Sequence, residues 1–195
     1  MFGLRPADSG EILKEGQPLQ IKNPRDAIAA KIGYVPEDRL SEGLFLTQSI
    51  GDNIIISEID RLKKSNGLFD RPKRNEEVKR WVGELEIKTD NPDNPATTLS
   101  GGNQQRIVLA KWLACDLDVL ILSGPTVGVD IGSKHDIHMI LQKLAGQGLG
   151  VIIISDDLPE VIQNCSRVIV IRNGKIKSEY NTQTVNEKMI LDDMM

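Results

Sequence analysis

The string Leu99-Ser100-Gly101-Gly102-Asn103-Gln104-Gln105-Arg106 has the residue types of an anion site. Two glycines let a backbone come close to a ligand, and the Ser100 hydroxyl is a short donor. The helix expected to follow points its first amides outward, an arrangement suited to phosphate. A plain capped helix uses the same residues, because serine and glycine are common caps. A second stretch, residues 118–130, has the outline of a site with less chemistry in it. Val119-Leu120-Ile121-Leu122 is an apolar run that reads as a buried strand, and 125–130 is a turn holding a glycine and an acid. Between them, where a catalytic strand end would present carboxylates, stand Ser123 and Gly124.

Other reactive side chains carry less. His135 and His138 stand at i, i+3 on an expected helix, but no third ligand accompanies them, so solvated helix positions are the expectation. Cys115 and Cys165 are too few for a disulfide scaffold and fit a reducing compartment. Cys165 reads as a small packing residue rather than a reactive thiol. Trp81 and Trp112 each lie on an apolar helical stripe and are expected to anchor the core rather than stack on bases. RPKRNEEVKR, 71–80, is expected to be a solvated helix face, with Glu76–Arg80 and Glu77–Lys79 close enough for modest pairing.

The elements that must position these groups follow from periodicity. Residues 10–21 alternate polar and apolar around Glu15-Gly16, which predicts a β-hairpin. A short helix is expected over 25–32 and a strand end, broken by Pro36, over 33–39. Residues 40–72 look loop-rich, with Ile54, Ile55 and Ile56 as an apolar island. Val78, Trp81, Val82 and Leu85 recur at helical spacing, and 91–98 is a Pro/Asn loop. The helix after Ser100-Gly101-Gly102 carries Ile107, Val108, Trp112 and Leu113 on its apolar face. The runs 119–122 and 151–155 are continuously apolar, as parallel strands covered on both faces must be. A helix over 134–144 between them makes a right-handed crossover. Residues 167–180 read as a hairpin turning at Asn173-Gly174, and the tail from Ile190 as frayed.

Composition bounds the class. With 39% apolar and 27% charged residues, the chain has the make-up of a folded globular protein. A net charge of −4 speaks against a general nucleic-acid binder, so no nucleic-acid partner is expected. No apolar run approaches the ~18 residues of a spanning helix, and the start lacks the apolar segment of a signal peptide. No GxGxxG follows a strand, which disfavours a dinucleotide-dependent oxidoreductase.

LSGGNQQR (99–106) resembles the signature motif of ABC-transporter ATPases, in the form seen in sugar importers of the ribose, galactose and xylose type. FGLRPADSGEI (2–12) and YVPEDRLSEGL (34–44) resemble the second ATPase cassette of such importers, downstream of its phosphate loop. SDDLPEV (155–161) is similar to the switch region, and NGKI (173–176) to the closing hairpin. The resemblance implies an α/β fold: a partial ABC-type P-loop NTPase, mostly parallel sheet with an N-terminal antiparallel hairpin and a helical insert near 60–98. It treats 1–195 as a single truncated nucleotide-binding domain.

It also implies roles residue by residue. Ser100, Gly101, Gly102 and Gln104 would touch a nucleotide held by another cassette, Thr126, Gly128 and Asp130 would form the interface turn, and Glu37 would lie in the coupling loop. The chain's own catalytic positions are degenerate. Ser123 stands where an Asp would hold Mg²⁺, Gly124 where a Glu would orient or deprotonate water, and Asp156 where a switch histidine would meet phosphate. GxxxxGK[ST] does not occur, and the only Gly-Lys pair, Gly174-Lys175, is followed by Ile176. ATP and Mg²⁺ would serve the intact assembly, and no ATP hydrolysis is expected of this chain alone. The implied partners are another ATPase cassette, membrane subunits and, indirectly, a periplasmic sugar-binding protein, at the cytoplasmic face of the inner membrane. The alternative is a non-catalytic interaction module or decayed fragment that binds no nucleotide.

Overall fold

The computed structural model describes residues 1–195, which divide into two compact units, 1–152 and 153–195. In the first, β1 (Ile12–Lys14) and β2 (Gln17–Leu19) pair antiparallel, with Ile12 opposite Leu19. Glu15 and Gly16 both take positive φ, 52° and 75°, the backbone a two-residue hairpin turn requires. Helix α1 (Pro24–Ala29) starts where Asn23 caps the amides of Arg25 and Asp26 and Pro24 presets the first turn. It ends before Ile32, short of the boundary expected from sequence, because Ile32 opens β3 (Ile32–Val35).

β3 pairs parallel with β4 (Val119–Ser123), Ile32 against Val119 and Val35 against Leu122. The sheet order is β3-β4-β5, with β5 spanning Gly150–Ile154. Leu120 and Leu122 are completely buried, as the uninterrupted apolar run demands.

Residues 39–72 are more helical than expected. A π-type turn spans Arg39–Gly43, α2 runs Ile50–Ile55, and a 3₁₀ stretch follows over Ile56–Leu62. These pieces are too short for a period to show. Their caps are local: Ser49 accepts from the amide of Asp52, and buried Asn53 bonds both the amide and the carbonyl of Phe45. Helix α3 (Arg71–Glu84) buries Val78 and Trp81 as its spacing predicts. Arg80 pairs with Glu77 at 2.8 Å and with Glu84 at 3.8 Å, not with Glu76, and its guanidinium lies over Trp81. Glu77 and Lys79, two apart, do not share a face.

Helix α4 (Gly101–Leu113) is buried on nearly all sides, with Ile107, Val108, Leu109 and Ala110 fully inaccessible. Two of its buried cations are satisfied internally, whereas Gln105 Nε2 and Trp112 Nε1 are buried without a partner. Lys111 Nζ donates to Gly43 O at 2.6 Å, and Arg106 donates to Leu85 O at 2.6 Å and to Asp136 at 2.6 Å. Trp112, 8% exposed, meets Phe2 edge-on, so both tryptophans are core anchors. Helix α5 (Ile131–Gly146) follows β4. His135 is exposed on it, whereas His138 is only 9% exposed, a correction to the solvated position expected. The face that carries Ile137 and Leu141 inward carries His138 with it.

The second unit has its own core of Leu158, Val161, Val168, Val170 and Ile190, with Cys165 packed against it. It is built from α6 (Leu158–Asn164), the hairpin β6 (Arg167–Arg172) and β7 (Lys175–Asn181), and α7 (Glu187–Met194). The hairpin turns at Asn173-Gly174, both at positive φ. The tail is thus not frayed: Asn186 caps α7 and Ile190 is 1% exposed.

Glu58, in the 3₁₀ stretch, is 7% exposed with one carboxylate oxygen unpartnered. Burial, and then the charge of Glu77, push its pKa up. The folded chain therefore holds this proton more tightly than the unfolded one. Its contribution to stability is full below the unfolded pKa and is lost as pH rises through the folded one. Glu58→Gln is expected to raise the melting temperature at neutral pH by about 2–4 °C, roughly 1 kcal/mol, with the gain vanishing in acid. Thermal unfolding at two pH values checks both halves.

Candidate functional site

Ser100 is the N-cap residue of α4, with extended backbone at φ −63°, ψ 159°. It does not cap the helix with its side chain. Instead Asn103 Nδ2 donates to Ser100 Oγ at 3.0 Å, while Asn103 Oδ1 accepts from the amide of Lys88 at 2.8 Å. The serine oxygen is thus an acceptor inward, and its own O–H stays free to donate outward from an exposed residue. The first-turn amides keep their dipole uncompensated by a side-chain oxygen.

The two glycines face the chain itself. A Cβ on Gly101 would stand 2.7 Å from Arg39 Nη2 and 2.9 Å from Gly128 O. One on Gly102 would stand 2.3 Å from Ser133 Oγ and 2.5 Å from Ser133 Cβ. The side chain of Gln104 turns inward, 8% exposed, with Nε2 donating to Ala96 O at 3.3 Å. Of the four signature residues, Ser100 is the one whose side chain is presented to solvent.

The turn after β4 is fixed by its own amides. Val127 N donates to Gly124 O at 3.0 Å and Val129 N to Thr126 O at 3.2 Å. Thr126 is 3% exposed, and Gly124 and Gly128 take φ of 51° and 67°. Asp130 caps α5 by accepting from Ser133 N at 3.0 Å, and the hydrogen bonds from Ser133 hold its carboxyl below the usual range. Ser123 ends β4 half-buried. Glu37, exposed in the loop after β3, lies against Gly124: its Cγ is 3.0 Å from where a Cβ at 124 would stand. Asp156 is an exposed residue of the second unit, in the turn where Ser155 Oγ donates to Glu160 at 2.6 Å.

One residue of this site was not singled out from sequence. Arg39 is 9% exposed, and its guanidinium donates to Val127 O at 2.6 Å and Gly128 O at 3.0 Å. Burial lowers its pKa from the ordinary arginine value. Its string, Pro36-Glu37-Asp38-Arg39, was in view, but its partners lie 88 and 89 residues away. The 37–39 loop, the 124–130 turn and the Ser100 end of α4 lie together, with the Ser100 hydroxyl and the first-turn amides of α4 as donors and Glu37, Asp38 and Asp130 as exposed carboxylates. These donors can hydrogen-bond an anion, and β4 brings them no carboxylate. No group of three or more His, Cys, Asp or Glu is placed to hold a metal ion.

A family profile described as ABC transporter matches residues 1–127. The chain is 41% identical over 191 residues to the ribose import ATP-binding protein RbsA of Lacticaseibacillus paracasei, covering 98% of this chain and 38% of that protein. It is 41% identical over 192 residues to a putative ribose/galactose/methyl galactoside import ATP-binding protein of Rhizobium etli, covering 98% and 36%. The chain thus spans little more than a third of the length of these curated relatives. Among solved structures, an ATP-binding cassette of an ABC transporter superposes with a TM-score of 0.80 at 21% identity, covering all of this chain and 80% of that one. A second, a dimeric cassette in a post-hydrolysis state bound to ADP and phosphate, superposes at 0.74 with 20% identity, covering 92% and 76%.

Proposed function

We propose that this chain, which belongs to the ABC transporter family, is an ATP-binding component of a sugar importer that supplies the Ser100 end of α4 to a nucleotide held by another cassette. The observation that carries the reading is the Ser100 hydroxyl, exposed, accepting from Asn103 and free to donate outward at the start of a 13-residue helix. A phosphate oxygen is the acceptor such a donor and the adjacent amides suit. The relatives' names support sugar import, and the dimeric neighbour supports pairing of cassettes. The remaining partners would be membrane subunits and a periplasmic sugar-binding protein, with the chain at the cytoplasmic face. No helix is long and apolar enough to cross a membrane.

The residues present do not fit a Mg²⁺ or nucleotide site of the chain's own. Ser123 and Gly124 bring no carboxylate to the end of β4, and no GxxxxGK[ST] loop occurs in the sequence. No hydrolytic step is assigned to them.

Equilibrium binding of a labelled, non-hydrolysable ATP analogue tests the reading. It is measured with the chain alone, with a complete sugar-importer cassette alone, and with both. Enhancement in the mixture is the expected result, and Ser100→Ala is expected to reduce it about 10-fold, the worth of one hydrogen bond to a charged acceptor. A mixture no tighter than the complete cassette alone would favour an interaction module that touches no nucleotide.

A further inference from the structure

We infer that Arg39 is a positioning residue that ties the 124–130 turn to the Ser100 end of α4, so that the two are presented as one surface. The inference rests on the nucleotide-facing role proposed for Ser100 and adds to it the group that sets its geometry. The guanidinium forks onto two consecutive carbonyls, Val127 O at 2.6 Å and Gly128 O at 3.0 Å. Gly128 at φ 67° turns the backbone at this point. The same Nη2 that donates to Gly128 O lies against Gly101, 2.7 Å from the place a Cβ would occupy. Arg39 Nε is buried without a partner. The group is thus held by two carbonyls and by packing, although a buried cation is costly unless well satisfied. The planar fork is what fits: an ammonium is a point charge and cannot span both carbonyls in one plane.

The backbone of Arg39 belongs to the loop after β3. Its amide bonds Glu37 O at 3.1 Å, and Asp38 caps the turn by accepting from Leu40 and Ser41. A displacement of the 37–43 loop would therefore carry the carbonyls of the 124–130 turn with it and alter the packing on Gly101. Three segments distant in sequence then move as a unit, and the loop after β3 gains a mechanical route to the Ser100 end of α4.

Amide hydrogen exchange of the isolated chain tests the tie without any nucleotide. In Arg39→Ala, exchange over 126–130 and 100–104 is expected to accelerate by about 10-fold or more, with α3 unchanged. Arg39→Lys is expected to fall between this variant and wild type, because it keeps the charge and loses the fork. Exchange within twofold of wild type in both segments, or full rescue by lysine, would overturn the inference. If Arg39→Ala does not fold, Arg39→Gln and Arg39→Lys carry the same measurement. In the mixture with a complete cassette, Arg39→Ala is expected to lose analogue binding about 10-fold. Val78→Ala, which loosens the core of α3 elsewhere, is expected to lower the melting temperature and leave the enhancement intact. Equal loss in both variants would reduce Arg39 to a stability residue. Absence of enhancement in the wild-type mixture would defeat the nucleotide reading alone, leaving the exchange result to decide the tie.

Discussion

Gly102→Ala is expected to lower the melting temperature by about 4–8 °C, a loss of roughly 2 kcal/mol for a chain of this size. The new Cβ would lie 2.5 Å from Ser133 Cβ and 2.3 Å from its Oγ. Rotating Ser133 relieves only the hydroxyl, since Cβ is fixed to the backbone of α5. The helices must separate, against the ~1 kcal/mol that alanine gains over glycine in a helix. Ser133→Gly in the same chain removes both clashing atoms and leaves the backbone amide that Asp130 accepts from. The double variant is therefore expected to recover most of the loss, with a coupling of about 1–2 kcal/mol in a thermal or urea double-mutant cycle. An alanine variant as stable as wild type would show that α4 and α5 are not in the contact described. The result bears on function, because it separates what the second glycine does for the fold from what the motif does for a ligand.

Strings that announce themselves locally were legible in the sequence. Asn173-Gly174 and Glu15-Gly16 placed both hairpins because positive φ has few willing residues. The apolar run 119–122 placed the central strand because burial on both faces leaves no polar alternation. Three things were not legible. The helical pieces between 39 and 62 run for five, six and seven residues, too few for an apolar repeat to stand out. The tail read as frayed because the cap of α7 and its one deeply buried residue, Ile190, give no repeat. The inward turn of Gln104 depends on burial of α4 around most of its circumference, and amphipathic reasoning cannot set the phase of such a helix.

The site itself divides in the same way. Ser100, Thr126, Gly128 and Asp130 were found as types in a motif, and the structure brings them to one region. Arg39 could not be found so, because nothing in its own neighbourhood says that two carbonyls 88 and 89 residues away will receive it. The glycine pair shows the limit from another side. The pair was read as room for a ligand, and the atoms that lie close to it within the chain are Arg39, Gly128 O and Ser133.

Placing acids at positions 123 and 124 is expected to destabilise the chain without producing an ATPase. Gly124 sits at φ 51°, where a residue with a Cβ is strained by about 1–2 kcal/mol. A Cβ there would also meet Val127 Cγ2 at 2.9 Å and Glu37 Cγ at 3.0 Å. Both neighbours are exposed and can shift, so Gly124→Ala is expected to cost little more than the backbone strain. Gly124→Glu adds a second carboxylate beside that of Glu37, and like charges at this range repel. Its expected cost is about 2–3 kcal/mol, of which Glu37→Gln in the same chain should return the electrostatic part and none of the strain. Thermal unfolding of the three variants separates the contributions: a Gly124→Glu chain as stable as wild type would mean the turn is not held in its left-handed form. The paired substitution Ser123→Asp with Gly124→Glu is expected to turn over ATP far below the ~1 s⁻¹ of an ordinary enzyme, because a base and a metal ligand act only on a phosphate that is held, and no GxxxxGK[ST] string occurs in the sequence. Turnover at ordinary rates by that variant, purified alone, would place a phosphate-binding element where none has been recognised. Gly124 suits the turn: its backbone occupies a conformation that any side chain at 124 would strain, and Glu37 lies against it.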